Sequence, residues 1–288
     1  MTLRSYLYVP GNRPELFDKA LNSGADGVIF DLEDAVESGG KKAAVQHVVD
    51  HMSDREVSSR DPEIWVRVNN RPELLEDELA AVGGLARLTG ISLPKVEDVG
   101  VLDRIDEMLP DRVGVLSLIE SASGVTAAHD IATHRRVQRL GLGEADLIAD
   151  MKMNPGPDRV ELISIRVNLV VASAAAKIDQ PVGPVFVDIG DEQGLERSSE
   201  QLRRLGFGGR SAVHPNQLDI INRVFTPTVL EVEQAEHLVR SVAEHAERGK
   251  ALFVDDQGKM VDEAVVRSAR HVIDVANSIH RRERNTGA

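Results

Sequence analysis

The sequence predicts an α/β protein, a TIM (β/α)8 barrel with a C-terminal helical extension. Three observations carry that expectation. Eight short apolar, β-branched runs alternate with helical patterns. The first run leads into VPGNRP, with neither G-x-G-x-x-G nor a Walker motif, which argues against a doubly wound sheet. The 288 residues also exceed one barrel of ~200–250 residues by about the size of an appendage.

Strands are expected near Ser5–Val9, Gly27–Asp31, Trp65–Val68, Gly90–Leu93, Gly114–Ile119, Arg139–Gly141, Pro184–Val187 and Arg210–Val213. Helices are expected near Pro14–Ser23, Lys41–Met52, Pro72–Leu85, Val96–Leu109, Val125–Ala132, Asp158–Lys177 and Gln193–Leu205. Pro14 and Pro72 stand where a first-turn proline is tolerated. After the last strand comes HPNQLDIINRVFTPT, then two further helices near Leu230–Arg248 and Asp262–Arg282. Between these, ALFVDDQGKMVD has the acidic pair and glycine of a turn. Residues 1–228 are thus expected to form the barrel, and 229–288 an extension that packs over its mouth or over a neighbouring subunit.

Composition narrows the function. A 42% hydrophobic content supports a sizeable core, and 3% aromatics leave few stacking platforms for single-stranded nucleic acid. The net charge of −13 disfavours nucleic acid and anionic lipid as partners. Cysteine is absent, which removes thiol nucleophiles, disulfides and cysteine metal sites. No apolar run approaches the ~20 residues of a membrane span, and the N-terminus has no signal-type apolar region. A cytoplasmic protein is expected.

Barrel chemistry gathers at the C-terminal ends of the strands. Those ends carry Asn12 and Arg13, then Asp31, Glu33 and Asp34, then Arg67 and Asn69, then Lys95, Glu120, Glu144, Asp146 and His214. Carboxylates without Cys or clustered His suit a hard cation, most simply Mg²⁺. A lone acid at such a position is more often a helix cap or a solvated turn residue. Glu120 stands out because it follows the apolar run VGVLSLI, where an unpaired carboxylate is costly. Arg67 alternates with apolar neighbours in WVRVN and can either serve a site or pair with Glu33 as structure. His47 and His51, four apart on a helix, read as a solvated face rather than a metal pair. His214, in AVHPNQ, suits a loop hydrogen bond better than catalysis, and Ser121 and Ser123 lie in no G-x-S-x-G elbow.

RSYLYVPGNRPELFDKALNSGADGVIFDLEDAV, WVRVN, LPKVED, LIESASGV, LGLGEADLIADM, GFGGRSAVHPNQ and VFTPT follow one another in the order found in a known family. Together with GKMVDEAVV they make the chain resemble, from about Leu3 to Ala276, the citrate lyase β-subunit-like branch of the HpcH/HpaI aldolase superfamily. The resemblance implies a TIM barrel with a C-terminal lid, assembled as a trimer or hexamer. It implies Mg²⁺, with Mn²⁺ as an alternative, held by Glu120 and Asp146, with Glu33 and Asp34 beside it. It implies that Arg67 binds the 2-keto acid and the developing enolate oxygen. Arg13, Lys19 and Lys95 fall where the family places basic residues for substrate and CoA phosphates, so with Arg67 they are expected to keep the mouth locally positive. Asp262 matches the lid acid. The activity implied is cleavage or formation of a short 3-hydroxyacyl-CoA such as malyl-, citramalyl- or citryl-CoA. Alternatives are a citrate lyase β subunit acting on a carrier-bound thioester, a thioesterase, and a non-catalytic CoA-ester-binding barrel.

Two departures from the family pattern stand out. The usual G-[AS]-E-D reads Gly143-Glu144-Ala145-Asp146, so the acid before the metal aspartate has moved one position and is expected to point elsewhere. Glu263-Ala264 follows Asp262 where the lid usually has x-Pro.

Overall fold

Period-two alternation explains how the first 225 residues close on themselves. On the first strand, Tyr6 and Tyr8 face one way and Leu7 and Val9 the other. The same alternation sends Ile29, Trp65, Leu116 and Leu118 into one cluster, and Val28, Phe30, Ile64, Val66, Val115 and Ile119 into another. The first cluster fills the lumen of a barrel, and the second packs between the strands and the surrounding helices.

The computed structural model describes residues 3–53, 61–247, 253–254 and 260–286. Its elements run β1 (Ser5–Pro10), α1 (Phe17–Leu21), β2 (Gly27–Asp31), α2 (Lys41–Ser53), β3 (Glu63–Arg67), α3 (Pro72–Val82), β4 (Leu88–Leu93) and α4 (Gly100–Met108). They continue with β5 (Gly114–Ile119), α5 (Ala122–Thr133), β6 (Val137–Leu142), α6 (Glu144–Asp150), α7 (Ile163–Ala176), β7 (Val182–Gly183), α8 (Glu192–Leu205), β8 (Gly209–Ala212) and α9 (Leu218–Phe225). Strands β1 to β8 pair in sequence order as a closed barrel, and β1 pairs with β8 in parallel.

The lumen is packed by setting large side chains against glycines. A Cβ on Gly90 would lie 2.4 Å from the Trp65 ring and 2.6 Å from the Gly114 carbonyl oxygen. One on Gly141 would lie 2.5 Å from Leu118. Glycine is therefore a space requirement on β4 and β6.

Differences from the sequence expectations have local causes. The seventh strand ends at Gly183 instead of spanning 184–187. Pro184 has no N–H for the ladder, and its carbonyl accepts from Arg210 Nε at 2.8 Å. The fourth helix begins at Gly100, after Asp98 Oδ1 accepts from the Gly100 N–H at 2.7 Å and forms a turn. Helices α6 and α9 were not expected. In α9, Leu218, Ile221, Val224 and Phe225 supply a buried stripe within LDIINRVF. His214 takes its structural role: its Nδ1 accepts from the Asn216 N–H at 3.2 Å, and Gln217 Oε1 accepts from the His214 N–H at 3.3 Å. The expected solvated face at His47 and His51 is corrected, since both are half-buried. His51 stacks edge-on against Phe17 and Phe30 at 5.2 and 6.4 Å.

From Thr226 onward the chain forms a second compact unit, separate from Leu3–Phe225. It contains α10 (Val229–Glu247), a short antiparallel pair β9 (Phe253–Val254) and β10 (Met260–Val261), and α11 (Glu263–Thr286). Helices α10 and α11 pack on each other. Residues 251–252 and 255–259 of the expected turn lie outside the described residues.

Gly90→Ala tests the lumen packing. The added methyl must displace Trp65 or the β4–β5 pairing, at a cost of about 1–3 kcal/mol. Urea unfolding should show that loss, and unchanged stability would contradict the packing account.

Candidate active site

The inward positions of the lumen continue by two residues into charge on three strands and into a glycine on a fourth. Ile29 is followed inward by Asp31, Trp65 by Arg67, Leu118 by Glu120 and Gly141 by Gly143. All four reach the C-terminal mouth because they sit one pleat above apolar lumen residues.

Asp31 organises the first half of the site. Its Oδ1 accepts from Arg67 Nε at 2.7 Å and from the Glu33 N–H at 2.9 Å. Its Oδ2 accepts from Arg67 Nη2 at 2.6 Å and from the Ala35 N–H at 3.2 Å. This bidentate fork fixes the guanidinium plane. The Tyr8 ring stacks 4.9 Å from the Arg67 guanidinium carbon. The other edge of Arg67 turns to Glu33 and Asp34: Nη1 lies 2.8 Å from Glu33 Oε2 and donates to Asp34 Oδ2 at 3.4 Å. Burial works against the Arg67 charge, but the Asp31 hydrogen bonds outweigh it and push its pKa up. Burial pushes the Tyr8 hydroxyl up to about 12, so it stays protonated.

Glu120 anchors the second half, only 5% exposed at the end of β5. Its Oε1 accepts from the Lys95 N–H at 2.8 Å. To aim that N–H, Lys95 adopts φ 52°, a left-handed conformation costing a non-glycine residue roughly 1–2 kcal/mol. Asn70 Nδ2 braces the turn by donating to the Pro94 and Lys95 carbonyls at 3.0 and 2.9 Å. Lys95 Nζ in turn donates to Glu33 Oε1 at 2.6 Å. Gly143 leaves room for the carboxylate, because a Cβ there would lie 2.3 Å from Glu120 Oε2. Burial, then repulsion from Glu33 and Asp146, raises the Glu120 pKa to about 7. Burial also raises Glu33, against the pull of Arg67 and Lys95.

These residues fit a hard cation. Glu120 is a buried acid repelled by two others, and positive charge would relieve it. Glu33 Oε2 is buried without a hydrogen-bond partner despite the nearby Arg67. The available donors are carboxylate oxygens. Among the described residues no group of three or more His, Asp or Glu side chains is set to hold a metal unaided. Water or ligand oxygens would therefore have to complete the coordination of a Glu120–Asp146 pair.

Two cavities meet at that pair. One, of about 540 Å³, occupies the barrel mouth and is lined by Tyr8, Arg67, Glu120, Asp146 and Arg159, among others. The other, of about 910 Å³, lies outside it and is lined by Asn70, Lys95, Arg104, Glu120 and Asp146. Of the sequence candidates, the structure brings together Glu33, Asp34, Arg67, Lys95, Glu120 and Asp146. Arg13 and Lys19 are exposed and line neither cavity, and Arg13 is paired with Glu15. The expectation of a locally positive mouth is corrected for this side, because Arg67 and Lys95 are both neutralised by carboxylates. Asp262 lies in the other unit, where its Oδ1 accepts from the Val265 N–H at 2.9 Å and caps α11. Ser121 caps α5 through the Gly124 N–H at 3.1 Å, and Ser123 is exposed. Glu144 points elsewhere as expected: it is buried, with Oε1 2.7 Å from Arg166 and Oε2 2.8 Å from Arg159. Sequence reasoning gave no role to Asp31, Tyr8, Gly143 or Arg159. The first three share the inward parity of the lumen, which was the available signal; Arg159 lies on a loop and carried none.

Asp31→Asn should release Arg67 and leave its charge poorly compensated, at a cost of about 3 kcal/mol. The double variant Asp31→Asn/Arg67→Met should recover part of that loss. A double-mutant cycle by chemical unfolding reads both, and a coupling energy near zero would refute the clamp.

The family model for HpcH/HpaI aldolase/citrate lyase matches residues 4–215. Citrate lyase subunit beta of Leuconostoc mesenteroides subsp. cremoris is 32% identical, over 96% of this chain and 94% of the relative. A (3S)-malyl-CoA thioesterase of Cereibacter sphaeroides is also 32% identical, over 96% of this chain and 95% of the relative. Among solved structures, CitE from Mycobacterium tuberculosis, in complex with magnesium, acetoacetate and coenzyme A, superposes with a TM-score of 0.79. It is 25% identical, covering 96% of this chain and 98% of that one. Closed barrel, full-length relatives and family match agree: the chain is a lyase-type enzyme and belongs to the HpcH/HpaI aldolase/citrate lyase family.

Proposed function

We propose that this chain is a Mg²⁺-dependent carbon–carbon lyase acting on a short 3-hydroxyacyl-CoA thioester such as malyl-, citramalyl- or citryl-CoA. The products are an acyl-CoA and a 2-keto acid. One observation carries the reading: Glu120 and Asp146 line the same mouth cavity as the clamped guanidinium of Arg67.

Glu120 and Asp146 would hold the ion, Mg²⁺ or alternatively Mn²⁺, which when bound lowers the cost of deprotonating a substrate hydroxyl. The chain's own residues do the rest. Arg67, its plane fixed by Asp31, would stabilise the carbonyl oxygen on which negative charge develops, with that oxygen taking the place of Asp34 or Glu33 at Nη1. Because Asp31 has already set its plane, the guanidinium itself need not turn as that charge appears. Glu33 and Asp34 hold the other edge of Arg67 before substrate arrives, and Glu33 also ties down Lys95. Tyr8, protonated and apolar-faced, shields the guanidinium from water. Arg13 and Lys19 are exposed cations available to CoA phosphates. Asp262 is the candidate proton donor to the departing acyl carbon, carried on a lid contributed by a neighbouring subunit of a homo-oligomer.

A second reading is hydrolysis of the thioester. The (3S)-malyl-CoA thioesterase relatives, matched over nearly the whole chain, favour it. A citrate lyase β subunit working on a carrier-bound thioester is the third, on the strength of the citrate lyase relatives.

Incubation with malyl-, citramalyl- and citryl-CoA separates them. A lyase releases keto acid without free thiol, and only when Mg²⁺ is supplied; Glu120→Ala should abolish that release. Free thiol without keto acid would establish hydrolysis. Turnover of the carrier-bound thioester alone would establish the subunit role. No turnover of any would overturn the proposed substrate class.

A further inference from the structure

One wall of the mouth carries more positive charge than the reading above uses. Three guanidiniums, from Arg159, Arg166 and Arg210, gather around the single carboxylate of Glu144. Arg166 is buried and divides its donors between Glu144 Oε1 at 2.7 Å and Gln201 Oε1 at 2.6 Å. Arg210 is 3% exposed and meets only neutral acceptors: the Pro184 carbonyl at 2.8 Å, Ser198 Oγ at 2.5 Å and Ser199 Oγ at 3.0 Å. Among the described residues no carboxylate lies within ion-pair distance of it. Burial first, with repulsion from Arg166 and Arg159 adding to it, lowers its pKa to about 9, still charged at neutral pH. The excess is confined to this wall, since Asp31, Asp34, Glu120 and Asp146 line the same cavity, so a ligand's negative charge meets it only through direct contact.

Only Arg159 brings that excess to the cavity. Its side chain is 41% exposed and lines the mouth alongside Arg67, Glu120 and Asp146. Nη1 is held by Glu144 Oε2 at 2.8 Å, which leaves the rest of the fork free. Glu144 is in turn immobilised by Arg166, so Arg159 is aimed before any ligand arrives. The backbone at Arg159 is left-handed, φ 51° and ψ 36°, where asparagine or glycine would be at ease. Arginine is kept there at a conformational cost of about 1–3 kcal/mol. Leu118, Leu142, Ile148 and Val185 line the same cavity and suit a short carbon skeleton.

We propose that Arg159 is the specificity-determining residue of this mouth: it binds a second carboxylate on the keto-acid portion of the substrate. The site then prefers a keto acid with two carboxylates over one bearing hydrogen or methyl in that place. This rests on the lyase reading. It assigns the distal group to the wall built on Glu144, away from the Asp31–Arg67 clamp.

The test is calorimetric binding of freshly dissolved oxaloacetate and of pyruvate to the full-length chain in Mg²⁺. The wild type should bind oxaloacetate more tightly, on the order of 10–100-fold, the worth of one charge-assisted contact. Arg159→Asn, which suits the left-handed backbone, should bring oxaloacetate to the level of pyruvate and leave pyruvate unchanged. Pyruvate binding by that variant also reports a folded mouth. Arg159→Lys should restore part of the preference. Equal weakening of both keto acids, no effect of Arg159→Asn, or no wild-type preference overturns the inference while leaving the lyase reading intact. Failure of the wild type to bind either keto acid removes the lyase reading itself.

Discussion

The buried carboxylate of Glu120 is the constraint on which the site depends. It stands one pleat above Leu118, where lumen packing has removed water, so its charge must be compensated locally. The surroundings are arranged around that need. Gly143 gives up a side chain to make room, and Lys95 accepts a left-handed backbone to supply one N–H. Neither is enough, and the pKa of about 7 is the residual cost. On the function proposed above, a hard cation shared with Asp146 would supply the remaining compensation and turn a local instability into a binding function.

The neighbouring carboxylates follow a different logic. Asp31 is fully engaged, with four donors on two oxygens, and it fixes Arg67 in a single orientation. Glu33 links the clamp to the Glu120 half through Lys95. The two halves therefore form one connected charge network.

The barrel was legible because its signal is local. Gly27–Asp31 and Gly114–Ile119 were read with the boundaries the structure has, since each is an apolar run with a clear stop. PVFV looks more β-like than VG, so the sequence points to 184–187 for the seventh strand, and only the position of Pro184 in the ladder decides the matter. The cluster of Glu33, Asp34, Arg67, Lys95, Glu120 and Asp146 was legible from strand ends. The clamp was not, because Glu33 looked the natural partner of Arg67, whereas parity places Asp31 beneath it. Arg159 was invisible, since its role depends on Glu144, Arg166 and Arg210 converging from separate elements. The charge of −13 conceals this wall, because a chain-wide sum says nothing of three guanidiniums gathered around one carboxylate.

The central claim is that Glu120 is built to receive a cation. Calorimetric titration of the protein with Mg²⁺ across pH, in buffers of different ionisation enthalpy, tests it directly. Glu120 is raised to about 7, so below that pH the ion must displace its proton, and above it the site is already charged. Mg²⁺ should bind more weakly at pH 6 than at pH 8. Close to one proton should be released per ion at pH 6 and almost none at pH 8, with Glu120→Gln losing both the affinity and the proton release. Affinity independent of pH, or unchanged in Glu120→Gln, would contradict it.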